Sequence, residues 1–199
     1  PEHIDTLISM GNLASALQAM GELSDARAMQ EQVLVTRQRV LGPEHPNTLT
    51  SMNNLALVLQ AMGDLPGARV MHAQVLTTRQ RVLGIEHPHT LNSMNNLAST
   101  LQNLGDLSGA RALQEQVLAT RQSVLGAAHP ATLSSMNNLA STLNAMGDLH
   151  GARAIQEQVL IARQCVVGPQ HPDTLTSISN LASTLQAMGD LSGARAKQE

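Results

Sequence analysis

The sequence predicts an all-α solenoid built from antiparallel helix pairs that repeat every 42 residues. Three observations carry this. The dipeptide His-Pro recurs at His45, His87, His129 and His171, always 42 residues on, with a degenerate copy, His3-Ile4, one period earlier. No insertion or deletion breaks the register from Pro1 to Glu199. Within each period, apolar residues fall at spacings of three and four, interrupted by glycines at fixed places. Self-similarity at a fixed period of roughly 20–50 residues marks a repeat architecture in which each unit touches only its neighbours. The expected organisation is therefore a single repeat domain over 1–199, with units 3–44, 45–86, 87–128 and 129–170 and a partial unit 171–199.

Unit 45–86 shows the pattern in full. Pro46 suits the first turn of a helix, where its missing N–H would have no partner in any case. Leu49, Met52, Leu55, Ala56, Leu59 and Met62 then trace one apolar helical stripe. Gly63 stops this helix, because glycine enters a positive-φ terminating conformation at no steric cost. Asp64 and Pro66 mark a second start, and Ala68, Met71, Val75, Leu76, Val82 and Leu83 form a second stripe that halts at Gly84. The predicted helices are about 16 and 19 residues long.

The other units follow suit. Gly21, Gly63, Gly105, Gly147 and Gly189 divide the two helices, while Gly42, Gly84, Gly126 and Gly168 end the second. An acidic residue follows each dividing glycine (Glu22, Asp64, Asp106, Asp148, Asp190), where it complements the positive end of a helix dipole. The first unit has no evident capping repeat: Leu7, Met10, Leu13 and Leu17 keep the ordinary stripe. In the partial unit, Lys197 replaces Met29, Met71, Leu113 and Ile155, which suits a solvent-facing end. The remaining apolar stripes are open at both ends, so end-to-end self-association is expected.

Composition narrows the function classes. The chain has no Phe, Tyr or Trp, so Leu, Met, Val and Ala must supply the buried apolar area. The rings that stack nucleobases or cage quaternary amines are missing with them. Net charge is −3, with no basic footprint for nucleic acid. Cys165 stands alone in a column that otherwise holds Arg39, Arg81 and Ser123, which argues for a structural or neutral role. The absence of cysteine pairs points to a cytoplasmic location. No apolar run approaches the roughly 20 residues a membrane span needs, and no signal peptide is visible.

Particular residues then point to a family. The run Asn53-Asn54-Leu55-Ala56, with Leu59, Gly63, Ala68 and the tail Arg79-Gln80-Arg81-Val82-Leu83-Gly84 before His87-Pro88, resembles the tetratricopeptide repeats of kinesin light chain. Those belong to a 42-residue variant of a motif whose usual period is 34. Leucines such as Leu59 and Leu65 stand where that family places aromatics, which separates the chain from a kinesin light chain proper. The resemblance implies a right-handed superhelix whose first helices line a concave groove for peptides or partner domains.

On that reading the candidate binding residues are the polar stripe of the first helices: Asn53, Asn54 and Gln60, then Asn95, Asn96 and Gln102, then Asn137, Asn138 and Asn144. Amides there can donate to and accept from an extended peptide backbone. The alternative is that one Asn of each pair ties adjacent helices together. That reading is preferred for Asn12, Asn54, Asn96, Asn138 and Asn180, which recur in all five copies. For Asn53, Asn95 and Asn137 the two readings stay open. The groove positions are uncharged, which disfavours a clamp for a terminal carboxylate. Arg37, Arg79, Arg121 and Arg163, on the second helices, either meet an acidic ligand or bond the next repeat; the second reading is preferred.

The recurrent histidines are one repeat apart, about 10 Å by helix packing, too far to share a zinc ion. Their expected role is capping or packing at the helix start. No nucleophile–base–acid set, phosphate-cradling glycine loop or buried carboxylate pair is present. The sequence thus points to a non-catalytic scaffold without cofactor or metal, binding a protein or peptide but neither nucleic acid nor membrane. The alternative is a structural module that assembles end to end through its uncapped repeats.

Overall fold

A computed structural model describes residues 3–198, with side chains through Arg195. Ten helices occupy them: α1 (Ile4–Ala19), α2 (Leu23–Leu41), α3 (Pro46–Ala61), α4 (Leu65–Leu83), α5 (Pro88–Asn103), α6 (Leu107–Leu125), α7 (Pro130–Ala145), α8 (Leu149–Val166), α9 (Pro172–Ala187) and α10 (Leu191–Gln198). There is no strand among the described residues. Each first helix has 16 residues, and α2, α4 and α6 have 19. All-α helix pairs at a 42-residue period are what the sequence predicts.

Local chemistry sets the boundaries. Each recurrent histidine is an N-cap: Nδ1 of His45, His87, His129 and His171 accepts the backbone N–H two residues on at 3.1 Å, and His3 does so at 3.3 Å. A ring nitrogen here takes the part usually played by a serine or aspartate oxygen. The second helices use carboxylates instead. Asp64, Asp106, Asp148 and Asp190 accept from the N–H of Gly67, Gly109, Gly151 and Gly193 at 2.8–3.0 Å. A Cβ on any of those glycines would collide with the capping carboxylate. The first repeat has Glu22 and Asp25 at the two positions, and Glu22 makes no side-chain cap bond. Gly84 closes α4 at φ 87°, ψ 165°, a conformation essentially confined to glycine.

The contacts group the chain into two compact units, residues 1–104 and 105–199. In the first, α1 packs on α2, α2 on α3, α3 on α4 and α4 on α5; in the second the series runs α6, α7, α8, α9, α10. The core of each unit is a ribbon of aliphatic side chains. Leu34 of α2 meets Leu55 and Leu59 of α3 and Ala68 of α4. Leu160 of α8 likewise meets Leu181 and Leu185 of α9 and Ala194 of α10.

The buried arc is wider than the apolar stripe predicts. Thr48, Ser51 and Val58 of α3 are fully buried, because α3 is covered by both α2 and α4. Met62 and Val82, placed in the stripes from sequence, are 39% and 49% exposed. Met62 is the C-cap, one residue past the helix, and Val82 lies on the outer side of the last turn of α4. The Lys197 side chain lies outside those described.

Candidate functional site

Two polar systems stand out: one at the seams between repeats, one on the face of the first helices. At the seams the second-helix arginines reach into the next repeat. Nη1 of Arg37, Arg79, Arg121 and Arg163 donates to Oγ of Ser51, Ser93, Ser135 and Ser177, each at 2.8 Å. The same nitrogens donate to the carbonyls of Asn47, His89, Ala131 and Asp173 at 2.7–3.2 Å. Each serine hydroxyl in turn donates to that same carbonyl, one helical turn back. The guanidinium groups are buried, and desolvation pushes the pKa of Arg37, Arg79 and Arg121 below the usual arginine value. These arginines clasp the backbone of a neighbouring helix at its first turn.

Several of the predicted groove residues are tied between helices. In the first unit, Asn96 Nδ2 donates to Asn53 Oδ1 at 2.6 Å, joining α5 to α3. Thr100 Oγ1 lies 2.9 Å from Gln60 Oε1 and 2.9 Å from His72 Nδ1. His72 is fully buried, and desolvation lowers its pKa to about 4. Asn54, Asn95 and Gln102 are half-buried. In the second unit, Asn144 Nδ2 donates to Thr184 Oγ1 at 2.8 Å, joining α7 to α9. With its amide oxygen turned toward Arg163, Asn137 accepts from Nη1 and Nη2 at 3.2 and 3.3 Å. Asn138 is exposed.

Around these residues the second unit holds an open cavity of about 260 Å³. Asn137, Asn138, Ser141 and Asn144 of α7 line it with Gln156 of α8 and Asn180 and Ser183 of α9. All seven linings are uncharged and polar, and Asn138, Ser141, Asn180 and Ser183 are exposed to whatever enters. The cavity offers both donors and acceptors and no group able to act as nucleophile or base near neutral pH.

One further polar column, not foreseen from the sequence, is buried on the second helices. Gln30, His72, Gln114 and Gln156, each 42 residues from the next, are 0–4% exposed on the second helices. A signal for them exists: a polar residue in every copy, placed on the same stripe as Ala26, Val33 and Arg37 in the first repeat. Elsewhere, the capping histidines use Nδ1 for the backbone, and the His87 and His89 rings stand 5.3 Å apart. Among the described residues no three His, Cys, Asp or Glu side chains come together as a metal site. Cys165 is exposed, and no helix of the described residues is long and apolar enough to cross a membrane.

The chain is similar to known repeat proteins. A tetratricopeptide repeat profile matches residues 5–77, 50–123, 91–164 and 132–199, which together span nearly the whole chain. Among solved structures, a candidate kinesin light chain of Podospora anserina with nearly identical TPR-like repeats is 33% identical. That alignment covers 100% of this chain and 94% of that one, with a TM-score of 0.84. A single-substitution variant of the Podospora protein aligns over 97% and 91% at 32% identity, TM-score 0.85. BtubC (BKLC) from P. vanneervenii shares the fold at 23% identity, covering 94% of this chain and 75% of that one, TM-score 0.79. No curated protein matches the sequence.

Proposed function

The chain belongs to the tetratricopeptide repeat family, in its 42-residue kinesin-light-chain-like class, and from that premise we propose a non-catalytic scaffold that takes an extended segment of a partner protein on its amide-rich first helices. Repeats of this family serve protein–protein interaction or self-assembly in general. The observation that carries the finer reading is the polar cavity of the second unit. Its amides and hydroxyls match the alternating N–H and C=O groups of a peptide main chain, and selectivity for side chains is correspondingly low. The ligand it favours is uncharged at this point, because no charged side chain lines the cavity and Arg163, which reaches Asn137, is held at the seam by Ser177 and the Asp173 carbonyl.

Asn138 and Asn180 are the residues to change, since both are exposed and line the cavity. The experiment is a display screen of random linear peptides against the full chain, followed by affinity measurement on the Asn138→Ala/Asn180→Ala variant. Selected peptides are expected to be rich in uncharged residues and to bind the variant about tenfold or more weakly, at unchanged circular dichroism. Selection of acidic peptides, or equal binding by the variant, refutes the reading.

A further inference from the structure

The residues that line the cavity of the second unit have counterparts two periods earlier in the first unit. Asn53, Asn54, Asn96 and Ser99 match Asn137, Asn138, Asn180 and Ser183. The other three columns differ: Leu57 becomes Ser141, Gln60 becomes Asn144 and His72 becomes Gln156. Ser141 puts a hydroxymethyl group in place of a branched aliphatic one, and Asn144 is one methylene shorter than Gln60. Both changes remove volume from the face where the cavity opens.

The same changes alter the hydrogen bonding. In the first unit Thr100 Oγ1 lies 2.9 Å from both Gln60 Oε1 and His72 Nδ1, so one hydroxyl joins the two side chains. In the second unit the equivalent Thr184 Oγ1 accepts from Asn144 Nδ2 at 2.8 Å and donates to the Asn180 carbonyl at 3.1 Å. Asn144 Oδ1 and Gln156 Oε1 are left as buried acceptors that no protein donor reaches. Gln156 is only 4% exposed, yet it lines the cavity. Gln30 and Gln114 of the same column carry the same unpaired oxygen. A buried carbonyl oxygen without a donor is costly, so a ligand that brings one gains what the protein forgoes.

Resting on the scaffold reading above, we propose that this cavity is a pocket for one carboxamide side chain, Asn or Gln, of the bound segment. Its two N–H groups supply the donors that Gln156 Oε1 and Asn144 Oδ1 lack, and its carbonyl meets the exposed Asn180 and Ser183 at the rim. A carboxylate would set its oxygens against two acceptors. An ammonium group would lose hydration with no carboxylate among the linings and with Arg163 close by, bonded to Asn137. An apolar side chain would leave both acceptors unpaired. Main-chain recognition is thus joined by one selective position.

The test is an NMR titration of the isotope-labelled full chain with capped tripeptides Ser-Xaa-Ser in which Xaa is Gln, Glu, Lys or Met. The side-chain amide signals of Gln156 and Asn144 are expected to shift saturably with the Gln peptide, in the millimolar range, and about fivefold or more weakly with the others. Gln156→Met, which keeps the shape and removes the acceptor, and Ser141→Leu, which restores the first unit's residue, should each weaken the Gln peptide about fivefold at unchanged circular dichroism. No saturable shift, equal binding of the Glu, Lys or Met peptide, or indifference to either substitution overturns the pocket. The scaffold reading is judged apart from it. Display-selected peptides that weaken with Asn138→Ala/Asn180→Ala but need no Asn or Gln leave the scaffold standing and remove the pocket.

Discussion

The seams between repeats and the face of the first helices are built from the same 42-residue unit, yet they behave oppositely. At the seams four arginine–serine bonds repeat at 2.8 Å, with every participating side chain identical from copy to copy. On the face the side chains vary: an amide meets an amide for Asn96 and Asn53, whereas Gln60 and Asn144, which share a column, each meet a threonine hydroxyl, that of Thr100 and of Thr184. A clasp on a backbone carbonyl admits one geometry, so its column cannot drift. A surface whose contacts are interchangeable amides tolerates variation.

That contrast can be broken first at the clasp. Arg121→Ala leaves Ser135 and the Ala131 carbonyl buried without their charged donor, and a loss of about 3–4 kcal/mol is expected in urea unfolding. A next test falls on His72, buried on α4. The folded pKa of His72, about 4, lies below its unfolded value near 6.5, so the unfolded chain takes up the proton first as pH falls. The neutral ring therefore contributes fully above pH 6.5, and the contribution is lost progressively toward pH 4, by about 3 kcal/mol in all. His72→Gln, which restores the residue of the other repeats, should flatten the unfolding free energy across that window. A flat wild-type profile would contradict burial of the ring.

Smaller effects sharpen the picture. His87→Ala removes a cap bond at a seam and should cost about 1 kcal/mol in thermal unfolding, whereas His87→Ser should cost less. Glu22→Asp with Asp25→Gly supplies the cap missing from the first repeat and should add about 0.5–1 kcal/mol. Asn138→Ala, on the face, is expected to change stability by no more than about 0.5 kcal/mol. If it proves as costly as the clasp substitution, the distinction between seam and face fails.

Much of the fold is legible in the sequence because short-range rules govern it. The helix lengths follow from glycines whose positive φ ends each helix and from His-Pro and Asp at the starts. The face was less legible. The pairing of Asn96 with Asn53 spans 43 residues, and nothing local distinguishes Asn96 from Asn54, which is half-buried with the same neighbours in sequence. The buried polar column of Gln30, His72, Gln114 and Gln156 was hidden for a related reason. A polar residue on an apolar stripe reads as exposed until a second helix is placed over it.

The sequence by itself determined the period, the helix pairs, their stops and starts and the family. All of these depend on backbone dihedrals and on spacings within one or two turns. Only the tertiary structure decided where the arginines end and how the amides of the first helices are tied. The reason is reach: a guanidinium or an amide sits several bonds from its own backbone, and its partner is chosen by whichever helix the fold brings alongside. The period says that the repeats are alike; packing alone pairs Asn96 with Asn53.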